Sequence, residues 1–320
     1  LRYPLVHPPR NPHDPKDTEP VTWSELEARG YPVPRDAEHA DDETAWVTVA
    51  TTRPETYLGD TAVAVNPHDP RAAALRDLMV QLPIVGRIIP IVEDAYVVMA
   101  DPDSSDAKAR YASGFLKVTP AHDPNDWDIG QRHHDALAAN STGHVVINVM
   151  APDATISDAH GWDRTDWGEG GHVFLGLSRD DARERVVQEF RDRGLLADAR
   201  PYTHSVGHSY RSHAPIEPYL SDQWYVRVTD DRLVGEALRA LHPDQLADPA
   251  PEREHGTALP TDGTMRFMPP RYAKMYEQWH RGLRDWCISR QLWWGHRIPV
   301  WTRTAPDGRH LDPELTTRWK

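Results

Sequence analysis

The sequence predicts a mixed α/β fold built around a β-barrel-like sheet with peripheral helices, and three observations carry that reading. Short β-type runs recur from Trp46 onward, separated by Pro, Asp and Gly. Helical signals interrupt these runs at only a few places. Prolines number 29 in 320 residues, about 9% against an average near 5%, which favours loops and edge strands over a helical bundle.

Residues 1–40 hold eight prolines, so no long helix persists there and an extended, turn-rich lead-in is expected. The β-type runs follow at Trp46–Ala50, Thr61–Val65, Arg87–Val92, Ala95–Met99, Phe115–Thr119 and His144–Met150. Residues 71–79 form one short helical candidate. Asp123-Pro124-Asn125-Asp126 opens another, with a capping Asp, Pro at the first helical position and a carboxylate in the first turn. A third helix is signalled from Ser178 to Gly194. Ser178 and Asp181 resemble a capping box, Ala182, Val186 and Phe190 mark an apolar face, and Gly194 supplies the stop. Beyond about residue 210 come an extended connection over Pro218–Val228, a short helix over Asp231–Leu241 and a polar loop over His242–Gly263. Tyr272, Met275, Tyr276, Trp279, Leu283 and Trp286 then recur at helical spacing in a separate closing unit.

At 320 residues the chain exceeds the roughly 100–200 of a single domain, so two domains, or one with large insertions, are expected. Hydrophobic residues at 39%, with 12 Trp and 11 Tyr, exclude a disordered chain. No apolar run approaches the roughly 18 residues of a membrane span, and the first residues lack a signal-peptide core. A soluble, cytoplasmic, monomeric protein without a membrane partner is expected. The single cysteine, Cys287, excludes an intrachain disulfide and any Cys-based zinc site. A formal net charge of −13 argues against nucleic-acid binding through bulk positive charge. Such a site must be local, and Arg271, Lys274, Arg281, Arg284, Arg290, Arg297 and Arg303 facing only Glu277 and Asp285 offer one candidate.

No Walker loop, GxGxxG, GxSxG or HExxH motif is present. His133-His134-Asp135 places adjacent side chains about 100° apart on a helix, which does not favour chelation of one ion. Three segments carry chemistry. Thr51-Thr52-Arg53-Pro54-Glu55-Thr56, continuing through Gly59-Asp60-Thr61-Ala62-Val63-Ala64-Val65, packs hydroxyls, a guanidinium and carboxylates into one strand–loop–strand unit suited to an ester or ribose. Gly114-Phe115-Leu116-Lys117-Val118-Thr119-Pro120-Ala121-His122-Asp123-Pro124-Asn125-Asp126 puts Lys117 and Thr119 on one strand face, since side chains repeat every two residues. Asp123 and Asp126, three apart, share one side of the helix start, within reach of a Lys117–Asp126 ion pair. From spacing alone, a cap and an ordinary ion pair are the favoured explanation of these residues. His122 reads better as a structural histidine bonding a carbonyl than as a base. The third segment is Arg284–Trp301.

These three segments, in this order, resemble the valyl branch of the class I aminoacyl-tRNA synthetases. His204–Val228, with Glu217-Pro218-Tyr219-Leu220-Ser221-Asp222-Gln223-Trp224, continues the likeness over nearly the whole chain. The HIGH-type and KMSKS motifs of that family are both missing, which implies an internal piece. The resemblance implies a lead-in over 1–40, a barrel-like editing domain over 41–210, a return connection over 211–270 and a partial Rossmann-type catalytic segment over 271–320. It further implies hydrolysis of mischarged Thr-tRNA(Val). Asp123 would hold the ammonium, Lys117, Thr119 and Asp126 would meet the threonine hydroxyl, and Thr51, Thr52, Arg53 and Thr56 would meet the terminal adenosine and its ester. Trp294 would line part of the valine pocket. The partner is then tRNA(Val) through its aminoacylated 3′ end. No metal or cofactor serves editing, whereas the intact parent enzyme would use ATP and Mg to attach valine. The alternative is a noncatalytic tRNA-end binding module. Tyr111-Ala112-Ser113-Gly114, in place of the family's aromatic-Gly-Thr-Gly, is the feature that favours it.

Overall fold

A computed structural model describes residues 1–11, 17–34, 43–160, 171–252, 263–290 and 294–299. They fall into two compact units, Leu1–Leu220 and Ser221–Lys320.

The first unit is mixed α/β. Its six strands are β1 (Arg2–Val6), β2 (Trp46–Thr48), β3 (Ala62–Val65), β4 (Met79–Gln81), β5 (Ile88–Glu93) and β6 (Phe115–Val118), in the sheet order β2-β1-β4-β5-β3-β6. All neighbours are antiparallel except β3 and β5, which pair Val63 with Ile91 and Val65 with Glu93 in parallel. Alternate residues of all six strands, among them Tyr3, Leu5, Val47, Val63, Val65, Val80, Ile89 and Phe115, enter one core, so the sheet wraps around its own inner face like a barrel. The other face of β3 carries Ala62 and Ala64 into a smaller core with Val118, Ile129 and Leu137. Burial on both faces explains why Ala62–Val65 reads as an unbroken apolar run.

The helices of this unit are α1 (Trp23–Ala28), α2 (Ala107–Tyr111), α3 (Pro124–Arg132), α4 (His134–Ala138) and α5 (Arg179–Asp192). Asp123 and Ser178 cap α3 and α5 as their sequence signatures predict. Buried Ala182, Val186 and Phe190 dock α5 on the sheet, with the Phe190 ring 5.1 Å from Tyr57 and 6.1 Å from Tyr3.

Several elements differ from expectation. The lead-in supplies β1, an inner strand; β4 pairs with it only from Leu5 onward, so the missing N–H of Pro4 interrupts no rung there. Ala95–Met99 is a turn, because the Asp94 carboxylate accepts the Tyr96 amide at 2.8 Å and ends β5. His144–Met150 runs beside the sheet with only an isolated Met150–Ile156 bridge. The helix expected over 71–79 shrinks to a 3-10 turn at Ala72–Leu75, after which Asp77 adopts φ 62° and β4 begins.

The second unit contains β7 (Tyr225–Val226), a π-turn at Asp231–Gly235 running into α6 (Glu236–Ala240), then α7 (Arg271–Arg281) and β8 (Trp286–Cys287), which pairs with β7. The α7 helix stops at Gly282, so Leu283 and Trp286 leave its face. Of the Rossmann-type segment expected over 271–320, residues 291–293 and 300–320, with Trp293 and Trp301, lie outside the described residues. Among the described residues no helix is long and apolar enough to cross a membrane.

Candidate functional site

The end of β6 and the turn before β3 meet in a buried polar cluster. Strand alternation places Lys117 beside Thr119, and Lys117 Nζ donates to Thr119 Oγ1. The same nitrogen donates to Thr56 Oγ1 at 2.7 Å and to Asp60 Oδ1 at 3.1 Å. An ammonium has three N–H bonds, and all three are used inside the protein. Thr119 Oγ1 donates to Asp60 Oδ1 at 2.7 Å, and the Tyr3 hydroxyl donates to Asp60 Oδ2 at 2.8 Å. The Lys117 and Asp60 side chains are 7% and 0% exposed. Complete burial pushes the Asp60 carboxyl up from the usual carboxylate range, against the pull of Lys117 and the Thr119 and Tyr3 hydroxyls.

Sequence spacing pointed to a Lys117–Asp126 ion pair; the structure gives Lys117 to Asp60 instead, because the 3-10 turn Pro54–Gly59 delivers Asp60 directly to the strand end. Asp126 accepts the Thr119 backbone N–H through Oδ2 at 2.8 Å, and its Oδ1 accepts no hydrogen bond among the described residues. Burial raises its pKa to about 7, with Lys117 and the Thr119 amide pulling the other way. Asp123, half-buried at the α3 cap, accepts the Asn125 and Asp126 amides at 2.7 and 3.3 Å through Oδ1.

Arg53 borders this cluster. Its Nη1 donates to His122 O at 2.6 Å, its Nη2 pairs with Glu217, and its Nε lies 3.5 Å from Glu55. Glu217 also pairs with Arg179, while fully buried Glu55 receives Arg183 through two bonds of 2.9 and 3.0 Å. Two carboxylates thus orient three guanidinium groups, two of them from α5. Thr51 Oγ1 accepts the Arg53 amide at 3.0 Å, Thr56 Oγ1 donates to Arg53 O at 3.0 Å, and Thr52 is exposed.

His122 is enclosed. Its Nε2 accepts the Val149 N–H at 3.1 Å, so the ring proton sits on Nδ1 and faces Pro218 O at 3.4 Å. Burial lowers its pKa to about 4, opposed by the Pro218 bond and assisted by Arg53 and Lys117. The ring is neutral near neutral pH with both nitrogens engaged, a structural histidine.

Two glycines allow close approaches here. A Cβ on Gly59 would lie 2.7 Å from Ile147 O, and one on Gly114, at φ +83°, would lie 2.0 Å from Arg71 Nη2. Arg71 is held by Asp69, donates to Ser113 O at 3.0 Å and lies 4.3 Å over the Phe115 ring, which pins the Ala112-Ser113 segment. Among the described residues no three His, Cys, Asp or Glu side chains are grouped to hold a metal.

The structure therefore joins Thr51, Arg53, Thr56, Lys117, Thr119, Asp123 and Asp126 in one bonded network. Trp294, 89% exposed, belongs to the second unit. Sequence reasoning assigned no role to Asp60, Tyr3, Glu55 or Glu217, although three of these stand inside the motifs it singled out.

The family described as "tRNA synthetases class I (I, L, M and V)" matches residues 16–318. The valine–tRNA ligase of Anoxybacillus flavithermus is 41% identical over 273 residues, covering 85% of this chain and 26% of that protein. The valine–tRNA ligase of Thermotoga maritima is 40% identical over 283 residues, covering 88% and 26%. The chain spans about a quarter of the length of these curated relatives. A solved structure described as "GlLeuRS-CP1" covers 64% of this chain at 12% identity with a TM-score of 0.36, a likeness too slight to inform the site.

Proposed function

The chain belongs to the class I tRNA synthetases of the I, L, M and V group, and from that premise we propose that it carries an editing site hydrolysing threonine from mischarged Thr-tRNA(Val). The observation that carries this reading is the locked Thr56–Asp60–Lys117–Thr119 cluster beside Asp126, whose Oδ1 is left to accept a hydrogen bond.

A pocket sized for valine cannot strongly reject threonine, its near isostere, a recognised limit of this very group of enzymes. A second site reverses the test by asking for the hydroxyl. Threonine donates to Asp126; valine, once seated over that acceptor, shields it from water and leaves it unpaired, at roughly 1–3 kcal/mol. Asp123 takes the ammonium through the oxygen it does not use as a cap. Arg53, Thr51, Thr52 and Thr56 meet the terminal adenosine and its ester, with Glu217 and His122 O fixing the Arg53 plane. The ester is already activated, so a positioned water and donors aimed at the developing oxyanion complete the chemistry. The partner is tRNA(Val), through its aminoacylated 3′ end.

The test is to incubate the chain with Thr-tRNA(Val) and Val-tRNA(Val) separately. Release of threonine with retention of valine is expected. A chain that binds both and releases neither is a tRNA-end binding module, and the proposal fails.

A further inference from the structure

We propose that Asp60, seated by the Tyr3 hydroxyl, is the positioning residue that sets threonine selectivity, by committing the Lys117 ammonium to an internal lattice and so leaving Asp126 to read the hydroxyl. This rests on the editing reading above and assigns a new role within that site.

Lys117 Nζ faces Thr56, Asp60 and Thr119, and of these three only Asp60 is charged. Two neutral hydroxyl acceptors do not compensate a buried ammonium. Without the Asp60 charge, Lys117 gains by turning to the next carboxylate. That carboxylate is Asp126, which accepts the Thr119 backbone N–H while Lys117 donates to the hydroxyl of the same residue, and which already feels the lysine charge. An ion pair there would occupy the oxygen that the substrate hydroxyl needs. Asp60 is itself held from two sides. Oδ1 accepts Lys117 and Thr119, and Oδ2 accepts Tyr3, whose ring is wedged against Tyr57 at 5.7 Å and Phe190 at 6.1 Å. Strand β1 and helix α5, both remote in sequence from β6, thus fix the orientation of the carboxylate.

Asp60→Asn is nearly isosteric and keeps an oxygen for Lys117 and Thr119 while removing the charge. Tyr3→Phe removes only the bond to Oδ2 and tests the same point if Asp60→Asn does not fold. The preference for Thr-tRNA(Val) over Val-tRNA(Val) in kcat/KM is expected to fall about tenfold in Asp60→Asn and about threefold in Tyr3→Phe. The loss should fall on the threonine substrate, since valine never used the hydroxyl reader. The pH profile supplies a second readout beside this confinement of the loss to threonine, which loosened packing would spread over both esters. The groups acting on Asp126 are Lys117, Asp123 and Asp60, with Tyr96 also within its field. Asp60→Asn removes a repelling charge and frees an attracting one, so the acid limb of the threonine reaction should move to lower pH. Nitrogen-resolved proton NMR of the Lys117 ammonium, one of five lysines, reports the tether without substrate. A slowly exchanging signal is expected in the wild type and its loss in Asp60→Asn. If the wild type shows that signal but hydrolyses neither ester, the editing reading fails while the tether stands. A folded Asp60→Asn with unchanged selectivity and acid limb, or, where it does not fold, an unchanged selectivity in Tyr3→Phe, overturns the proposal.

Discussion

Lys117 Nζ lies 3.1 Å from Asp60 Oδ1, and the pair is almost wholly withdrawn from water. Breaking such a pair from one side leaves an uncompensated charge in a place that cannot hydrate it. Lys117→Met should therefore destabilise the chain by about 3–5 kcal/mol, read from urea unfolding, and Lys117→Met with Asp60→Leu should recover part of that loss. A single variant as stable as the wild type would show that water reaches the pair.

Asp126 gives a pH-dependent signature. Its pKa is raised by burial from 3.8 to about 7, so the folded state holds its proton while the unfolded state releases it. The stabilisation is complete below about pH 4, declines as pH rises towards 7 and is gone above, a span of about 4 kcal/mol. Asp126→Asn keeps an acceptor for the Thr119 amide and does not titrate. Its stability relative to wild type should rise between about pH 4 and 7 and level off beyond, measured by unfolding at each pH. A constant difference across that range would refute the raised pKa.

Asp123 should respond according to whether it caps or binds. Asp123→Ala removes the α3 cap, with a loss near 1 kcal/mol, and lowers hydrolysis of both esters. Asp123→Asn still caps but carries no charge for the ammonium, so activity on both esters should fall with little change in the Thr/Val ratio. Full activity in Asp123→Asn would leave this residue with the cap alone.

Much of this was legible along the chain. The two-residue period announced that Lys117 and Thr119 share a face, and Ser178, Asp181, Ala182, Val186 and Phe190 announced α5 with its cap and its buried stripe. Both patterns are local. Asp60 was not legible, because its partner Lys117 is 57 positions away and only the pairing of β3 with β6 brings them together. Glu55 and Glu217 meet Arg183 and Arg53 across 128 and 164 positions, and no spacing rule reaches that far. Strand β1 was hidden among prolines, although only Pro4 falls inside it. Ala95–Met99 had the composition of a strand, but a side-chain bond from Asp94 turned the backbone first.

His122 should matter for stability alone. His122→Ala deprives the Val149 amide and the Pro218 carbonyl of their partner, and a loss of about 2–4 kcal/mol is expected from two buried hydrogen bonds and the lost ring packing. The Thr/Val ratio of the folded fraction should be unchanged, as measured on protein purified by its native elution volume. A changed ratio at intact stability would place the ring in the reaction.

Selectivity read by one carboxylate is measured most directly by comparing the wild type with Asp126→Ala on both esters in parallel. The wild type should hydrolyse Thr-tRNA(Val) faster than Val-tRNA(Val). Asp126→Ala should slow the threonine reaction roughly 5- to 150-fold and leave the valine reaction nearly unchanged. Equal losses on both substrates, or no loss on threonine, would contradict a site that recognises its substrate through the hydroxyl.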